Sequence, residues 1–100
     1  MIVVWLPRAI ADRDAQVDYI AQDKPLAAIE QGDRIVEQVV LLAQHPEMGR
    51  VGRRRGTREL VISRTPFIVV YRIKSERIEL LRVLHGAQKW PHLKVVPKAE

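Results

Sequence analysis

Residues 59–84 read ELVISRTPFIVVYRIKSERIELLRVL, and this stretch decides the fold. It contains runs of β-branched residues and leucine at Glu59 to Ser63, Phe67 to Ile73 and Arg77 to Leu84. The segments between them, Arg64-Thr65-Pro66 and Lys74-Ser75-Glu76, have the length and composition of hairpin connections. The pattern predicts three strands in an antiparallel meander.

The segment before the meander has the period of a helix. One side of this helix is apolar, with Ala28, Ile35, Val39 and Leu42 at helical spacing. A second set of apolar residues is expected to widen the buried face, namely Ile29, Val36, Val40 and Ala43. Pro25 suits a first helical turn after a capping Asp23, and His45-Pro46 ends the helix because a residue before proline avoids helical geometry.

A looser helix and a short strand come first. Residues 8–22 are only moderately amphipathic, because their apolar stripe is loose and consists of Ile10, Val17, Ile20 and Ala21. Gly32 in the second helix is expected to let the first one approach closely. Ile2 to Trp5, ended by Pro7, predicts a strand.

The resulting order is β-α-α-β-β-β, which is an α+β fold with a helical hairpin packed on a mainly antiparallel sheet. The 100 residues suffice for one core, so we expect a single domain over residues 1–92 and a C-terminal tail over 93–100. Trp5 and Tyr19 are expected to pack inside. Tyr71 should be buried on one sheet face, and Trp90-Pro91 should close the core or offer a docking point.

Composition narrows the function classes. The absence of cysteine excludes disulfides and thiolate metal sites, and three scattered histidines give no metal motif, so no metal or cofactor is expected. Pro7 and Arg8 interrupt the first apolar run, which predicts neither an export signal nor a membrane span and places the protein in the cytoplasm.

Charge is divided unevenly along the chain. Residues 1–49 carry four basic and eight acidic residues, a net of −4, whereas residues 50–100 carry thirteen and four, a net of +9. The second half therefore favours an acidic partner such as nucleic acid, a ribosome or an acidic protein segment.

Five motifs, taken in order, resemble the RelE/ParE toxin superfamily. They are Asp18-Tyr19-Ile20-Ala21 with Pro25-Leu26-Ala27-Ala28, then His45-Pro46-Glu47-Met48-Gly49-Arg50, Gly56-Thr57-Arg58-Glu59-Leu60, Ile68-Val69-Val70-Tyr71-Arg72 and Arg82-Val83-Leu84-His85-Gly86. The resemblance implies a growth-arresting toxin of a type II toxin–antitoxin system, neutralised by a cognate ParD- or RelB-like antitoxin. Relatives of the ParE kind inhibit DNA gyrase, and those of the RelE kind cut messenger RNA on the ribosome without a metal.

Arg50, Arg53, Arg54, Arg55 and Arg58 place five positive charges within nine residues. Such density is relieved by phosphates or carboxylates, so the loop is a candidate target- or phosphate-binding site, the alternative being a solvated loop. Guanidinium groups stay protonated and cannot act as bases.

Arg82 and His85 are the candidate catalytic residues if the protein is a nuclease, with Arg53, Arg54 and Arg58 beside them. Arg82 is expected on the strand face of Ile78, Leu80 and Leu84, either paired with an acid such as Glu59 or exposed for function. His85 is either a titratable group within reach of Arg82 or a turn histidine that organises Gly86.

Two functions and one further class stay open. The leading hypothesis is gyrase inhibition, because the lysines and the C-terminal tyrosine common in the nuclease relatives are absent. The alternative is a ribosome-dependent mRNA endonuclease, so enzymatic activity is undecided at this point. A nucleic-acid-binding module without toxicity is the third. The antitoxin is expected to cross the basic sheet face and the helical hairpin as an acidic or amphipathic segment, and to bring the pair to operator DNA.

Overall fold

The structure is a computed structural model, and it describes residues 1–86. Strand β1 spans Ile2–Trp5, helix α1 Pro7–Ala21 and helix α2 Pro25–Val40, followed by a short 3-10 turn at Leu41–Ala43. The remaining strands are β2 (Arg50–Val51), β3 (Arg58–Val61), β4 (Phe67–Lys74) and β5 (Arg77–His85). Trp90-Pro91 and the predicted tail at 93–100 lie outside the described residues.

The five strands form one sheet in the order β1-β5-β4-β3-β2. β3, β4 and β5 make the predicted meander, and β2 adds two antiparallel residues at its edge. β1 pairs with β5 in parallel and covers only its first half, from Arg77 to Leu80. The α+β class and the helical hairpin on a mainly antiparallel sheet are confirmed, with β2 as the one additional strand.

The helical hairpin α1–α2 covers one face of the sheet. Its contribution to the core is Ala9, Ile35, Val39 and Leu42, which contact the strand residues Leu60, Ile62, Phe67, Val69, Tyr71, Ile78, Leu80 and Val83. Helix α1 does lie close to Gly32, but this approach does not require glycine, because a Cβ there would lie 3.5 Å from Val17 Cγ2, an ordinary van der Waals distance. Tyr71 is fully buried in this layer, as expected, and Arg72 emerges on the opposite side.

A β-bulge at Leu81 changes which residues of β5 face the helices. Val70 pairs with Arg82 and Tyr71 with Leu80, which leaves Leu81 without a partner on β4. Side chains alternate between faces along a strand, so one extra residue reverses the alternation. Arg82 therefore lies on the face opposite the helices, and its predicted alignment with Ile78 and Leu80 is wrong.

Three predictions about the helices are also wrong. Ile29, Val36 and Val40, expected in the buried face of α2, are 60%, 43% and 59% exposed. Tyr19 is exposed as well, at 76%. The residue that caps α2 is Lys24, which makes no side-chain cap, and Asp23 does not occupy that position. α2 has apolar residues around most of its circumference, and periodicity alone does not say which of them the sheet covers.

Arg13 and Gln16, which interrupt the apolar stripe of α1, both have a structural use. The Arg13 guanidinium lies 4.6 Å from the centroid of the Trp5 ring, a cation–π arrangement. Gln16 Nε2 donates to the carbonyl oxygen of Val83 at 3.4 Å. The interruptions therefore fasten α1 to β1 and β5.

Candidate functional site

Asp12 of α1 holds Arg82 on the part of β5 that β1 does not cover. Arg82 Nε and Nη2 donate to the two carboxylate oxygens of Asp12 at 2.6 and 3.3 Å, and the Val83 backbone N–H donates to Asp12 Oδ2 at 3.0 Å. Both side chains are largely buried, with 11% of Arg82 and 14% of Asp12 exposed. Arg82 therefore pairs with an acid, as the first of its two alternatives expected, but the acid is Asp12 and not Glu59; the second alternative, an exposed guanidinium, is wrong.

The buried side chain of Glu59 orders the arginine-rich loop at residues 50–58. Its side chain is 1% exposed, and it accepts hydrogen bonds from the Arg53 backbone N–H, Arg53 Nε and Arg50 Nη2, each at 3.0 Å. Burial alone raises the pKa of Glu59, but the hydrogen bonds from Arg53 and Arg50 outweigh it and lower the pKa below its usual value. Arg50 and Arg53 are thus parts of the scaffold of the loop.

The loop itself is closed by backbone and hydroxyl contacts. The Gly52 N–H donates to the Thr57 carbonyl at 2.8 Å, and Thr57 Oγ1 donates to the Arg54 carbonyl at 2.5 Å. Gly56 has a φ of +79°, which glycine adopts readily. A Cβ at residue 52 would lie 2.2 Å from Thr57 Oγ1, so the turn requires glycine there. These contacts fix the backbone from which Arg54 and Arg55 project.

Tyr71 anchors the approach to this loop. Its hydroxyl donates to the Pro46 carbonyl at 2.7 Å and accepts from the Gly49 N–H at 2.9 Å. Burial raises the pKa of Tyr71 above its ordinary value. Arg58 fastens the same segment, since its Nη1 donates to the Gly49 carbonyl at 2.8 Å.

A cleft of about 750 Å³ opens between the loop, the sheet and the start of α1; we call it the arginine cleft. Its described lining consists of Leu6, Pro7, Arg8, Arg54, Arg55, Gly56, Thr57, Arg72, Leu81 and Arg82. Half of these residues are arginines, and they come from four separate parts of the chain: α1, the arginine-rich loop, β4 and β5. The fold thus brings together arginines that lie far apart in the sequence.

Arg72 is oriented from the sheet by a buried carboxylate. Arg72 Nε donates to Glu79 Oε1 at 2.6 Å, and Arg77 also donates to Glu79. The hydrogen bond from Arg72 lowers the pKa of Glu79, against the opposite effect of burial. Arg72 and Arg82 are therefore each held by one carboxylate at the floor of the arginine cleft.

The structure divides the predicted arginine site. Arg54, Arg55 and Arg82 line the cleft, whereas Arg50, Arg53 and Arg58 hold the surrounding chain. Sequence reasoning missed Arg8 and Arg72 as cleft residues. The pairing of Arg72 with Glu79 depends on the register of the β4–β5 hairpin, whose turn between Lys74 and Arg77 is one residue shorter than the connection predicted from the sequence. Arg8 carried no local signal, because its position depends on how α1 meets the sheet.

His85 and Arg82 project from opposite faces of β5. His85 pairs with Phe67, and the two rings meet edge to face with centroids 6.2 Å apart. His85 belongs with Phe67 on the helix side, while Arg82 lies on the other face. The N–H of Gly86 donates to the Pro66 carbonyl at 2.6 Å, so Pro66 fixes that turn through its backbone.

The arginine cleft can bind and orient anions. Among residues 1–86, arginine is the only ionisable type in its lining, and a guanidinium does not accept a proton at cellular pH. The described part of the chain also holds no group of three or more histidine, aspartate or glutamate side chains that could bind a metal ion.

A second surface lies on the outer side of the helical hairpin; we call it the hairpin groove. It is lined by Arg13, Asp14, Val17, Asp18, Ala28, Ile29, Gly32, Asp33 and Val36. Leu26 and Val40 continue its apolar stripe along α2, and both are exposed. Acidic residues border the groove, which therefore differs in charge from the arginine cleft.

Comparisons with known proteins agree on one family. A family model described as the ParE toxin of a type II toxin–antitoxin system, parDE, matches residues 3–90. A Sinorhizobium fredii protein named as a toxin, Y4kP, is 43% identical over 89 residues, which is 89% of this chain and 92% of the relative. Toxin RelE2 of Caulobacter vibrioides is 37% identical over 86 residues, covering 86% and 96%.

A solved structure extends the comparison to three dimensions. It is described as a chromosomal ParDE toxin–antitoxin system from P. aeruginosa, and it matches with a TM-score of 0.78 at 33% identity. The match covers 85% of this chain and 95% of the other. Within residues 1–86, no helix has the length and hydropathy needed to span a bilayer.

Proposed function

The chain belongs to the ParE toxin family of type II toxin–antitoxin systems, and from this premise we propose that it arrests growth by inhibiting DNA gyrase. The observation that carries the proposal is the lining of the arginine cleft. It can bind anions, but it offers no group among the described residues that accepts a proton. An inhibitor that binds its target needs no such group, whereas a metal-independent nuclease needs a base for the 2′-hydroxyl.

The position of His85 supports the same choice. A catalytic pair requires both groups at one reacting atom, and Arg82 and His85 lie on opposite faces of the sheet. The geometry therefore favours gyrase inhibition over RNA cleavage, and the protein acts by binding.

The cognate antitoxin is proposed to occupy the hairpin groove. The exposed side chains of Leu26, Ile29, Val36 and Val40 form an apolar stripe at helical spacing, which suits an amphipathic helix. Asp14, Asp18 and Asp33 border it, so the antitoxin segment on this surface should carry basic residues next to its apolar ones. The pair is proposed to reach operator DNA through the antitoxin and to work in the cytoplasm, where gyrase and the chromosome are.

The test is a supercoiling assay with purified components. Relaxed plasmid, gyrase and ATP are incubated with the toxin, and we expect supercoiling to fall and cleaved DNA to accumulate. Adding the cognate antitoxin should reverse the effect, which excludes a contaminating inhibitor. Undiminished supercoiling together with cleavage of ribosome-bound message would establish the RelE-like activity instead.

A further inference from the structure

The arginine cleft combines two independent features that attract anions. The first is the convergence of Arg8, Arg54, Arg55, Arg72 and Arg82. The second is the start of α1, which forms part of the wall at Leu6 and Pro7 and has neither a side-chain cap nor an acidic residue in its first turn. The partial positive charge of this helix end is therefore not offset from within the helix.

We propose that the arginine cleft binds the phosphodiester backbone of DNA, so that the toxin contacts the DNA held by its target as well as the target protein. The identification of DNA as the source of the phosphate rests on the proposed inhibition of gyrase. The assignment of phosphate as the ligand rests on the cleft alone, because planar guanidinium forks and backbone N–H groups at a helix start are the usual protein ligands of phosphate.

Within residues 1–86, two carboxylates form ion pairs with arginines of the cleft. Asp12 pairs with Arg8 and Arg82, and Glu79 pairs with Arg72 and Arg77. These carboxylates orient the arginines of the floor, so less side-chain freedom is lost when a ligand binds. The Thr57 and Gly52 contacts do the same for the loop that carries Arg54 and Arg55.

The shape and lining favour a nucleic-acid backbone over an acidic peptide. Only Leu6, Pro7 and Leu81 are large apolar residues in the described wall, so an amphipathic segment would bury little there. A stripe of exposed apolar side chains lies instead on the hairpin groove, in the other layer of the fold. The volume of about 750 Å³ falls in the range of roughly 300–1,000 Å³ that is typical of small-ligand sites and accommodates a backbone segment.

The experiment measures binding of the purified toxin to a fluorescein-labelled DNA duplex of arbitrary sequence, without gyrase, by anisotropy. Affinity should fall steeply between about 50 and 200 mM salt, as expected for phosphate contacts. Arg54→Glu and Arg55→Glu should each weaken binding about tenfold or more. Lys24→Glu, which changes the charge equally at the far end of the hairpin, should have little effect. Arg54 and Arg55 are exposed, so these variants should fold, and unchanged antitoxin binding would verify it.

Separate probes identify the source of the phosphate. Duplex DNA should bind more tightly than a single-stranded RNA of equal length, and polyglutamate should bind weakly. Equal binding of polyglutamate, with equal loss in Arg55→Glu, would overturn the phosphate assignment, and a preference for RNA would overturn the assignment to DNA. Absence of DNA binding would also overturn it even if gyrase were inhibited, whereas DNA binding without gyrase inhibition would refute only the proposed function.

Discussion

Asp12 and Arg82 are separated by 70 positions in the sequence, yet the Asp12 carboxylate accepts hydrogen bonds from both Arg82 Nε and Arg82 Nη2. The same carboxylate accepts the Val83 N–H, which lies on the part of β5 that β1 does not cover. One helix side chain thus closes a strand edge and orients an arginine of the cleft. Unpaired strand edges are sites of unwanted association, so this contact protects the sheet as well.

Asp12→Ala should destabilise the fold by about 3 kcal/mol, because it leaves a largely buried arginine and a backbone N–H without their acceptor. Urea unfolding at neutral pH measures the change. Asp14→Ala is the control, since its pair with Arg13 is 60% exposed on the aspartate side and should contribute about 0.5 kcal/mol or less. Equal effects of the two variants would contradict the assigned role of Asp12.

Glu59→Gln should lower stability at pH 7 by about 1–3 kcal/mol through weaker hydrogen bonds to Arg50 and Arg53. The lowered pKa of Glu59 stabilises the folded state above the unfolded-state pKa near 4.5, and this stabilisation is lost as the pH falls through the folded-state value. The difference between wild type and variant should therefore shrink below about pH 4.5 in denaturation curves. A stability difference between wild type and Glu59→Gln that stays constant down to acidic pH would show that the charge of Glu59 is not involved.

Tyr71→Phe should destabilise by about 1–3 kcal/mol, because the Pro46 carbonyl loses its donor and the Gly49 N–H its acceptor. Hydrogen exchange should accelerate at the Gly49 amide before it does so in α2. Tyr19→Phe, at an exposed position, should change neither measurement. Unaltered exchange at Gly49 in Tyr71→Phe would refute the anchoring role.

Ile29→Asp and Val36→Asp should each weaken antitoxin binding by about tenfold or more, since each places a carboxylate in the proposed apolar contact. Calorimetric titration with the purified antitoxin measures the affinity of each variant. Val51→Asp, at a more exposed apolar position on β2, is the control and should bind normally. Loss of affinity in all three variants would mean that the antitoxin covers a wider surface than the hairpin groove.

His85→Ala should leave growth arrest intact, because His85 lies on the helix side of the sheet, away from the arginine cleft. Induced expression without the antitoxin measures arrest, and Arg55→Glu should relieve it in the same assay. If His85→Ala removed arrest while folding and antitoxin affinity were unchanged, the nuclease hypothesis would be restored.

The regular elements of the fold could be predicted from the sequence because they depend on local periodicity. The β3–β5 meander and both helices appear within a few residues of their expected bounds. The two residues of β2 could not be found, since Arg50–Val51 has no strand pattern of its own and is extended only by pairing with β3. Ile29 and Val40 were misplaced because the burial of an apolar helix residue depends on what packs against it.

The site could be predicted in part for the same reason. A dense run of arginines marked the loop, and Arg54 and Arg55 do line the arginine cleft. The pairing of Arg50 and Arg53 with Glu59 depends on the β2–β3 register, which the residue types alone do not determine. Arg82 was chosen as a candidate, but its partner Asp12 comes from a distant helix that local patterns do not connect to it.

The bulge at Leu81 decides which face of the sheet Arg82 occupies. A regular β5 that kept Leu81 in the ladder would direct Arg82 into the helix-facing core and Val83 toward the cleft. Deleting Leu81 would instead leave Leu80 and Arg82 on their present faces, because their partners Tyr71 and Val70 are consecutive residues of β4. The strand thus carries one residue more than the ladder requires, and the accommodation of this residue outside the ladder keeps Arg82 in the cleft.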